Sequence, residues 1–292
     1  MSSSSSMHPW LARLAPGLFV FLWSTGFIGA KFGLPDAEPF TFLLARIGLV
    51  SIILVGASLL FRAPWPKSPK MIGHIAIAGL LVHGLYLAGV FAAIAQGVPA
   101  GLVALIVGLQ PLITATLAPR LFGETVAPRQ WLGLFLGLAG VALVVSQKLG
   151  WHDDARGLVA AAIGLFGITS GTLYQKRFCA SMDLRTGTAI QYLATCLLLA
   201  SLAGASERMQ VHWTGSFIFA LLWLVFALSV GAIFLLFVLI REGQAARVAS
   251  LFYLTPPTTA IMAWALFGES LSALVLVGFA ITAFGVALVM KR

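Results

Sequence analysis

Charged side chains are scarce in this chain: Lys, Arg, Asp and Glu make up 9% of 292 residues, whereas 60% are hydrophobic. A soluble domain needs about a quarter charged residues to cover its surface, so most of this surface must face something other than water. Apolar runs of roughly twenty residues recur, and a helix of that length crosses a bilayer core. They are much longer than the ~10-residue strands of a membrane barrel. The pattern predicts an all-α integral membrane protein.

Reactive groups are also scarce. Cys179 and Cys196 are the only cysteines, and no Cys/His cluster has metal-ligand spacing. The chain carries neither Gly-x-Ser-x-Gly nor His-Glu-x-x-His, and no pair of acidic residues lies inside a predicted span. We therefore predict no catalytic residue, no metal and no cofactor. An intramembrane enzyme is a remote alternative.

The net charge is +9, which could suggest a nucleic-acid ligand. However, the basic residues concentrate in short loops between apolar runs, where they orient membrane proteins. With a cytoplasmic N-terminus, thirteen basic residues fall on the cytoplasmic side and four on the other, and Arg46 inside a span completes the eighteen. This count favours an even number of spans in a bacterial inner membrane, with both termini cytoplasmic and no nucleic-acid partner.

Hydropathy predicts ten spans joined by short connections. None of the connections is long enough to hold a soluble domain, so the spans form one membrane domain. The predicted spans are 14–32, 40–61, 71–94, 98–119, 128–146, 156–175, 185–204, 215–240, 245–267 and 272–290.

The sequence repeats at an offset of 145 residues. Eighteen of the 45 positions from 100 to 144 are identical to those 145 residues later, including a proline motif and a Leu-Phe-Gly-Glu motif. Each copy contains five predicted helices, and an odd number makes the second copy enter the membrane from the opposite side. Such inverted repeats are typical of transporters that alternate access to a central site. We assign 1–12 as a leader, 13–147 and 155–292 as the five-helix repeats, and 148–154 as their linker.

These motifs resemble the drug/metabolite transporter superfamily, specifically its ten-helix EamA-type exporters. The residues that carry the resemblance are Trp23-Ser24, the block Pro111…Phe122-Gly-Glu124…Gly133…Gly140-Val141, and its echo Pro256…Phe267-Gly-Glu269…Gly278…Gly285-Val286. The chain looks most like the aromatic amino-acid exporter branch, although Ile168 stands where a second tryptophan is common. The resemblance implies export of small metabolites, with aromatic amino acids first.

Polar and aromatic residues near mid-span are the candidates for a substrate cavity, because buried hydroxyl and amide groups need partners that an aqueous cavity offers. Packing, or bonding to the residue's own helix, is the alternative at each position. The candidates are Trp23, Ser24, His83, Tyr86, Gln110, Thr114, Ser170, Tyr174, Tyr253 and Thr258.

Three mid-span prolines, Pro111, Pro256 and Pro257, are predicted to kink their helices and to serve as hinges or as edges of a binding groove. A kink that only improves packing is the alternative. Arg46 lies about two turns inside the second span. We expect it to extend its side chain to the interface as an anchor, in preference to binding a substrate carboxylate.

No Asp or Glu is predicted at mid-membrane depth, since Glu124 and Glu269 fall at helix ends. Coupled carriers commonly use a buried carboxylate, so we predict facilitated transport, with His83 as the remaining group that could carry a proton. The alternative is a proton-coupled multidrug or metabolite efflux pump. A monomer and a homodimer are both compatible with the sequence.

Overall fold

The computed structural model describes residues 9–123, 125–146, 155–233, 235–236, 239, 251–268 and 272–290. Regular secondary structure in these residues is helical, and their one β contact is an isolated bridge between Ala37 and Val211. The predicted all-α class is therefore confirmed for the described part of the chain.

Eleven helices are labelled here in chain order. Their bounds are α1 Pro9–Gly33, α2 Pro39–Leu60, α3 Pro69–Ala95, α4 Ala100–Val107, α5 Gln110–Phe122, α6 Pro128–Ser146, α7 Ala155–Phe178, α8 Leu184–Ser206, α9 Gly215–Ala232, α10 Thr255–Phe267 and α11 Ala273–Met290.

Six of these helices are long and apolar enough to cross a membrane, namely α1, α2, α3, α7, α8 and α9, and α11 adds a shorter apolar stretch over Leu276–Val289. The protein is thus a multi-pass membrane protein. The predicted span 98–119 is not one continuous helix, because the chain turns at 108–109 just before Pro111 and starts again as α5. In the predicted span 245–267, residues 245–250 lie outside the described part. By this criterion the described residues contain six spans, not the predicted ten.

The predicted segment boundaries fall partly outside the described residues. Residues 9–12, assigned to the leader, belong to α1, while residues 1–8 and the linker 148–154 are not among those described. The helices begin where side chains or prolines suit a first turn. Asp183 accepts hydrogen bonds from the backbone of Arg185 and Thr186 at the start of α8, and Thr214 accepts one from Phe217 at the start of α9.

Helices α6 and α11 cross at glycines. A methyl group added to Gly133 would lie 2.6 Å from the Gly285 carbonyl oxygen, and one added to Gly140 would lie 2.6 Å from the Gly278 carbonyl oxygen. Only residues without a side chain allow two backbones to approach this closely. The two contacts are related by the sequence offset, because 133 and 278, and likewise 140 and 285, are 145 residues apart.

The largest apolar core lies among α1, α2, α3, α7, α8 and α9. Phe42, Phe91 and Phe217 are fully or almost fully buried there, and the Phe42 ring lies 5.5 Å from that of Phe91 and 5.0 Å from that of Phe217. Such close packing, more than apolarity, associates helices in lipid, since lipid tails are as apolar as the side chains. This core surrounds the cavity described below.

Local backbone features also recur at the 145-residue offset. Gly123 and Gly268 end α5 and α10 in the left-handed region, with φ of 68° and 67°. Segments of π-helix interrupt α3 at Leu80–Leu85 and α9 at Leu224–Ala232. The similarity between the two halves in sequence therefore extends to the conformation of the backbone.

Candidate functional site

A cavity of about 60 Å³ lies in the largest core. The lining residues are Trp23, Gly26, Phe27, Arg46, Val82, His83, Tyr86, Leu87, Val90, Phe91, Ile168, Tyr192, Leu228 and Ile233.

Three of the predicted cavity residues, Trp23, His83 and Tyr86, line this cavity. The His83 ring packs on Tyr192 of α8 at a centroid distance of 4.4 Å. Ser24 is fully buried beside them, and its hydroxyl donates to the carbonyl oxygens of Val20, at 2.7 Å, and Thr255, at 3.3 Å. Ser24 thus joins α1 to the start of α10 and does not face the cavity directly.

Three further candidates lie away from the cavity, on α5 and α7. The Gln110 amide donates to the Thr172 hydroxyl at 3.3 Å, and the Ser170 hydroxyl donates to the Phe166 carbonyl of its own helix at 2.6 Å. The Thr114 hydroxyl is buried without a hydrogen-bond partner among the described residues.

The remaining candidates occupy other clusters. The Tyr174 hydroxyl is 2.7 Å from Nδ1 of His74, near the end of α7. Tyr253 is buried in a second apolar cluster with Phe19 and Leu134. The Thr258 hydroxyl donates to the Leu254 carbonyl one turn earlier, at 2.7 Å.

The prolines stand where helices restart. Pro111 lies in the first turn of α5, two residues after the break that separates it from α4. Pro256 and Pro257 lie in the first turn of α10, which follows a short 3₁₀ turn over Phe252–Leu254. A first turn accommodates proline because its amide has no helical partner to lose. The structure thus places an interruption at each site, and the hinge role stays a prediction.

The expectation for Arg46 is wrong. Its side chain does not reach an interface; it is 3% exposed and lines the cavity. Its Nε and Nη2 atoms donate to the Ser229 hydroxyl of α9 at 3.2 and 3.0 Å. Polar partners inside the protein remove the need to extend the side chain toward water. One feature of the sequence indicated a functional role for Arg46, because a charged residue within a span is by default a candidate for function.

The sequence analysis also missed Tyr192 and Ser229. Tyr192 is 1% exposed in the cavity wall, and Ser229 is 4% exposed beneath the Arg46 guanidinium. Ser229 sits within the π-helical segment of α9, as His83 sits within that of α3. Such bulges are frequent at functional sites, since they rotate side chains out of regular helical register. A single sequence gives no signal for them.

Lining residues that occupy corresponding positions in the two copies of the repeat differ in chemistry. Trp23 and Ile168 are 145 residues apart and both line the cavity, as do His83 and Leu228. At both pairs the first copy supplies the polar aromatic group and the second an aliphatic one. The cavity therefore combines polar and apolar groups, which suits an amphipathic ligand.

Among the described residues, no Asp or Glu lines the cavity. Glu124 and Glu269, predicted at helix ends, lie outside the described residues. Within the described part, no group of three His, Cys, Asp or Glu side chains is placed to hold a metal ion.

Comparisons with known proteins decide the family. The EamA-like transporter family matches residues 16–146 and, separately, residues 155–291. The chain belongs to the EamA-like transporter family. The predicted resemblance to the drug/metabolite transporter superfamily is thereby confirmed, and the family implies that the ligand is a small molecule.

Relatives of this EamA-like protein match along most of its length. An uncharacterised transporter of Bacillus subtilis is 26% identical over 275 residues, which cover 92% of this chain and 88% of that one. An uncharacterised inner membrane transporter of Escherichia coli K12 is 27% identical, covering 92% and 87%. A protein of Salmonella typhimurium named "probable amino-acid metabolite efflux pump" is 28% identical, covering 89% and 88%.

A solved crystal structure has the same fold as this EamA-like chain. Its chain is 22% identical and superimposes with a TM-score of 0.76, and the match covers 96% of both chains.

Proposed function

We propose that this EamA-like protein exports small amphipathic metabolites across a bacterial inner membrane, and that aromatic amino acids are the first substrates to test. The observation that carries the proposal is the buried cavity, whose walls come from both copies of the repeat and combine polar with apolar groups. The aromatic rings of Trp23, Tyr86 and Tyr192 suit an aromatic side chain. The name of the Salmonella relative supports amino-acid metabolites as the class.

The proposal includes ten spans arranged as two inverted five-helix repeats, 13–147 and 155–292. Three observations support it: the separate family matches to each half, the glycine contacts between α6 and α11 that correspond at an offset of 145, and the paired π-helical segments. Topology is tested by replacing both native cysteines and placing single cysteines at positions 124 and 269. Inverted repeats require these two cysteines to react with an impermeant thiol reagent from opposite sides of the membrane.

Alternating access would expose the cavity to each side in turn. The interruptions before Pro111 and Pro256 supply positions at which α4–α5 and α10 could bend. The π-helical segments on either side of the cavity supply others, since their hydrogen bonds are easily rearranged.

Transport is proposed to be facilitated, because among the described residues no carboxylate lines the cavity to carry a proton or bind a cation. His83 is a cavity-lining group that could serve a proton-coupled pump, the alternative mechanism. Proteoliposomes separate the two mechanisms. Facilitated transport gives exchange of labelled phenylalanine without accumulation against its gradient, whereas accumulation driven by a pH gradient and lost in Glu124→Gln, Glu269→Gln or His83→Ala would establish coupling.

The basic test is counterflow. Liposomes with the purified protein are loaded with unlabelled amino acid, and entry of labelled phenylalanine is followed. Trp23→Ala and Tyr86→Ala should slow entry, whereas Ser170→Ala should not, because Ser170 bonds only to its own helix at a distance from the cavity. Absence of counterflow for a broad panel of amino acids and related metabolites would refute the proposed function.

A further inference from the structure

Arg46 is a buried cation in the wall of the cavity. It stands seven residues into α2, about 10 Å from the start of the helix at 1.5 Å per residue. Its side chain is 3% exposed and forms part of the cavity wall. Ser229 receives both of its hydrogen bonds, through Nε and Nη2.

The described residues place no carboxylate in an ion pair with the Arg46 guanidinium. Its electrostatic interactions with these residues are with Tyr192 and Tyr86. A guanidinium has five N–H donors, and Ser229 uses two of them. Burying an unpaired charge is costly. Retaining an arginine here is understandable if an anion completes the site.

The geometry of the cavity indicates which part of a ligand is the anion. Arginine binds planar carboxylates through two parallel hydrogen bonds, and Tyr86 and Tyr192 line the same cavity as Arg46. Most of the remaining wall is apolar and includes Phe27, Val90 and Leu228. Among the described residues, no acidic side chain lines it to receive an ammonium group.

We propose that Arg46, with Ser229 holding it in place, is the carboxylate-binding group of the transport site, so that the substrates are organic carboxylates with an apolar body. The inference rests on the proposed transport function and restricts its substrates to organic carboxylates. The carboxylate is required for recognition and the ammonium group is not. N-acylated and deaminated relatives of an amino acid should therefore compete with it, whereas its amide should not.

The test uses counterflow of labelled phenylalanine with unlabelled competitors. In wild-type protein, N-acetylphenylalanine should compete about as well as phenylalanine. Phenylalaninamide, which lacks the carboxylate, should compete at least about tenfold more weakly, the ratio that one charge-assisted hydrogen bond contributes. Equal competition by the amide would overturn the proposal, and this comparison requires no variant to fold.

Variants of Arg46 test whether this side chain is the group that binds the carboxylate. In Arg46→Gln, the discrimination between acid and amide should fall to about twofold or less, and Arg46→Lys, which keeps the charge but not the planar geometry, should be intermediate. Arg62→Gln is the matched control, because Arg62 follows the end of the same helix and is exposed. Undiminished discrimination in a folded Arg46→Gln protein would refute the assignment.

Thermal stabilisation of the purified protein by N-acetylphenylalanine separates this inference from the proposed function. If wild-type protein transports none of the panel but is stabilised by the acid in an Arg46-dependent manner, the transport proposal fails and the carboxylate site stands. If counterflow occurs but neither transport nor stabilisation distinguishes acid from amide, the carboxylate site fails and the transport function stands.

Discussion

The crossing of α6 and α11 provides a quantitative test of how this membrane protein is held together. A methyl group added at Gly285 would lie 2.6 Å from both the Gly133 carbonyl oxygen and the Gly137 nitrogen. Real side chains essentially never approach closer than 3.0 Å, so the helices would have to separate by several tenths of an ångström. The obstructing atoms belong to the backbone and cannot rotate away.

The expected cost of Gly285→Ala follows from two opposing terms. Overpacking a tight contact costs about 1–3 kcal/mol, and a contact with backbone belongs to the upper half of that range. Replacing a helical glycine by alanine returns about 1 kcal/mol of helix propensity. The free energy of unfolding should therefore fall by about 1–2 kcal/mol.

The position related by the repeat allows a sharper comparison. A methyl group at Gly140 would meet the Gly278 carbonyl oxygen at 2.6 Å and also the hydroxyl of Thr282, a residue that corresponds to Gly137 in the other copy. Gly140→Ala should thus cost at least as much as Gly285→Ala. Gly48→Ala is the control, since a methyl group there would meet nothing within 4 Å.

The assay is reversible unfolding in mixed micelles with increasing SDS, followed by circular dichroism. Gly48→Ala should unfold at the same SDS fraction as wild type or at a higher one, and both crossing variants at a lower fraction. If Gly285→Ala and Gly48→Ala unfold together, the close contact of α6 and α11 does not exist as described.

Other consequences can be checked with the same preparations. Glu207 accepts hydrogen bonds from the backbone amides of Phe40 and Thr41 at 2.7 Å. Glu207→Ala should therefore lower the free energy of unfolding by about 1.5–3 kcal/mol, and Glu207→Gln, which retains one acceptor oxygen, by less. Equal losses in the two variants would contradict this capping role at the start of α2. The hydrogen bond from Arg185 holds the pKa of Asp183 below its usual value. The stabilisation that the Asp183 charge provides should therefore be present above pH ~3.9 and lost as the pH falls through the lower folded-state pKa. The stability difference between wild type and Asp183→Asn, at most about 1 kcal/mol for so exposed a pair, should disappear in acid. If the interruption before Pro111 is a hinge, Pro111→Ala should lower the maximal rate of counterflow several-fold with little change in KM, and a loss of affinity at unchanged rate would argue against a hinge.

Much of this fold could be predicted from the sequence, because it follows from physical constraints that act locally along the chain. In lipid every backbone amide must be bonded within its own segment, so a long apolar run has few options besides a helix. The predicted spans 40–61 and 128–146 accordingly match α2 and α6 to within a residue. The repeat was also readable, because glycine and proline motifs serve backbone conformations that recur with them, as at Gly123 and Gly268.

The composition of the site was only partly readable. Depth along a helix follows from counting residues, and three residues chosen in this way, Trp23, His83 and Tyr86, line the cavity. Which way a side chain faces around the helix does not follow from the pattern, since the lipid face and the interior face are equally apolar. Tyr174 and Tyr253 have suitable depth but point into other clusters.

Arg46 illustrates the division between sequence and structure. The sequence by itself determined that the protein is a helical membrane protein, that its two halves are alike and that one arginine lies within a span, because these properties depend on local composition. Only the tertiary structure decided that Arg46 and Tyr192 line one cavity and that Ser229, from a third helix, bonds to Arg46 there. Their meeting depends on how helices pack across more than a hundred residues of chain, and that packing is set by side-chain shape, which no local pattern records.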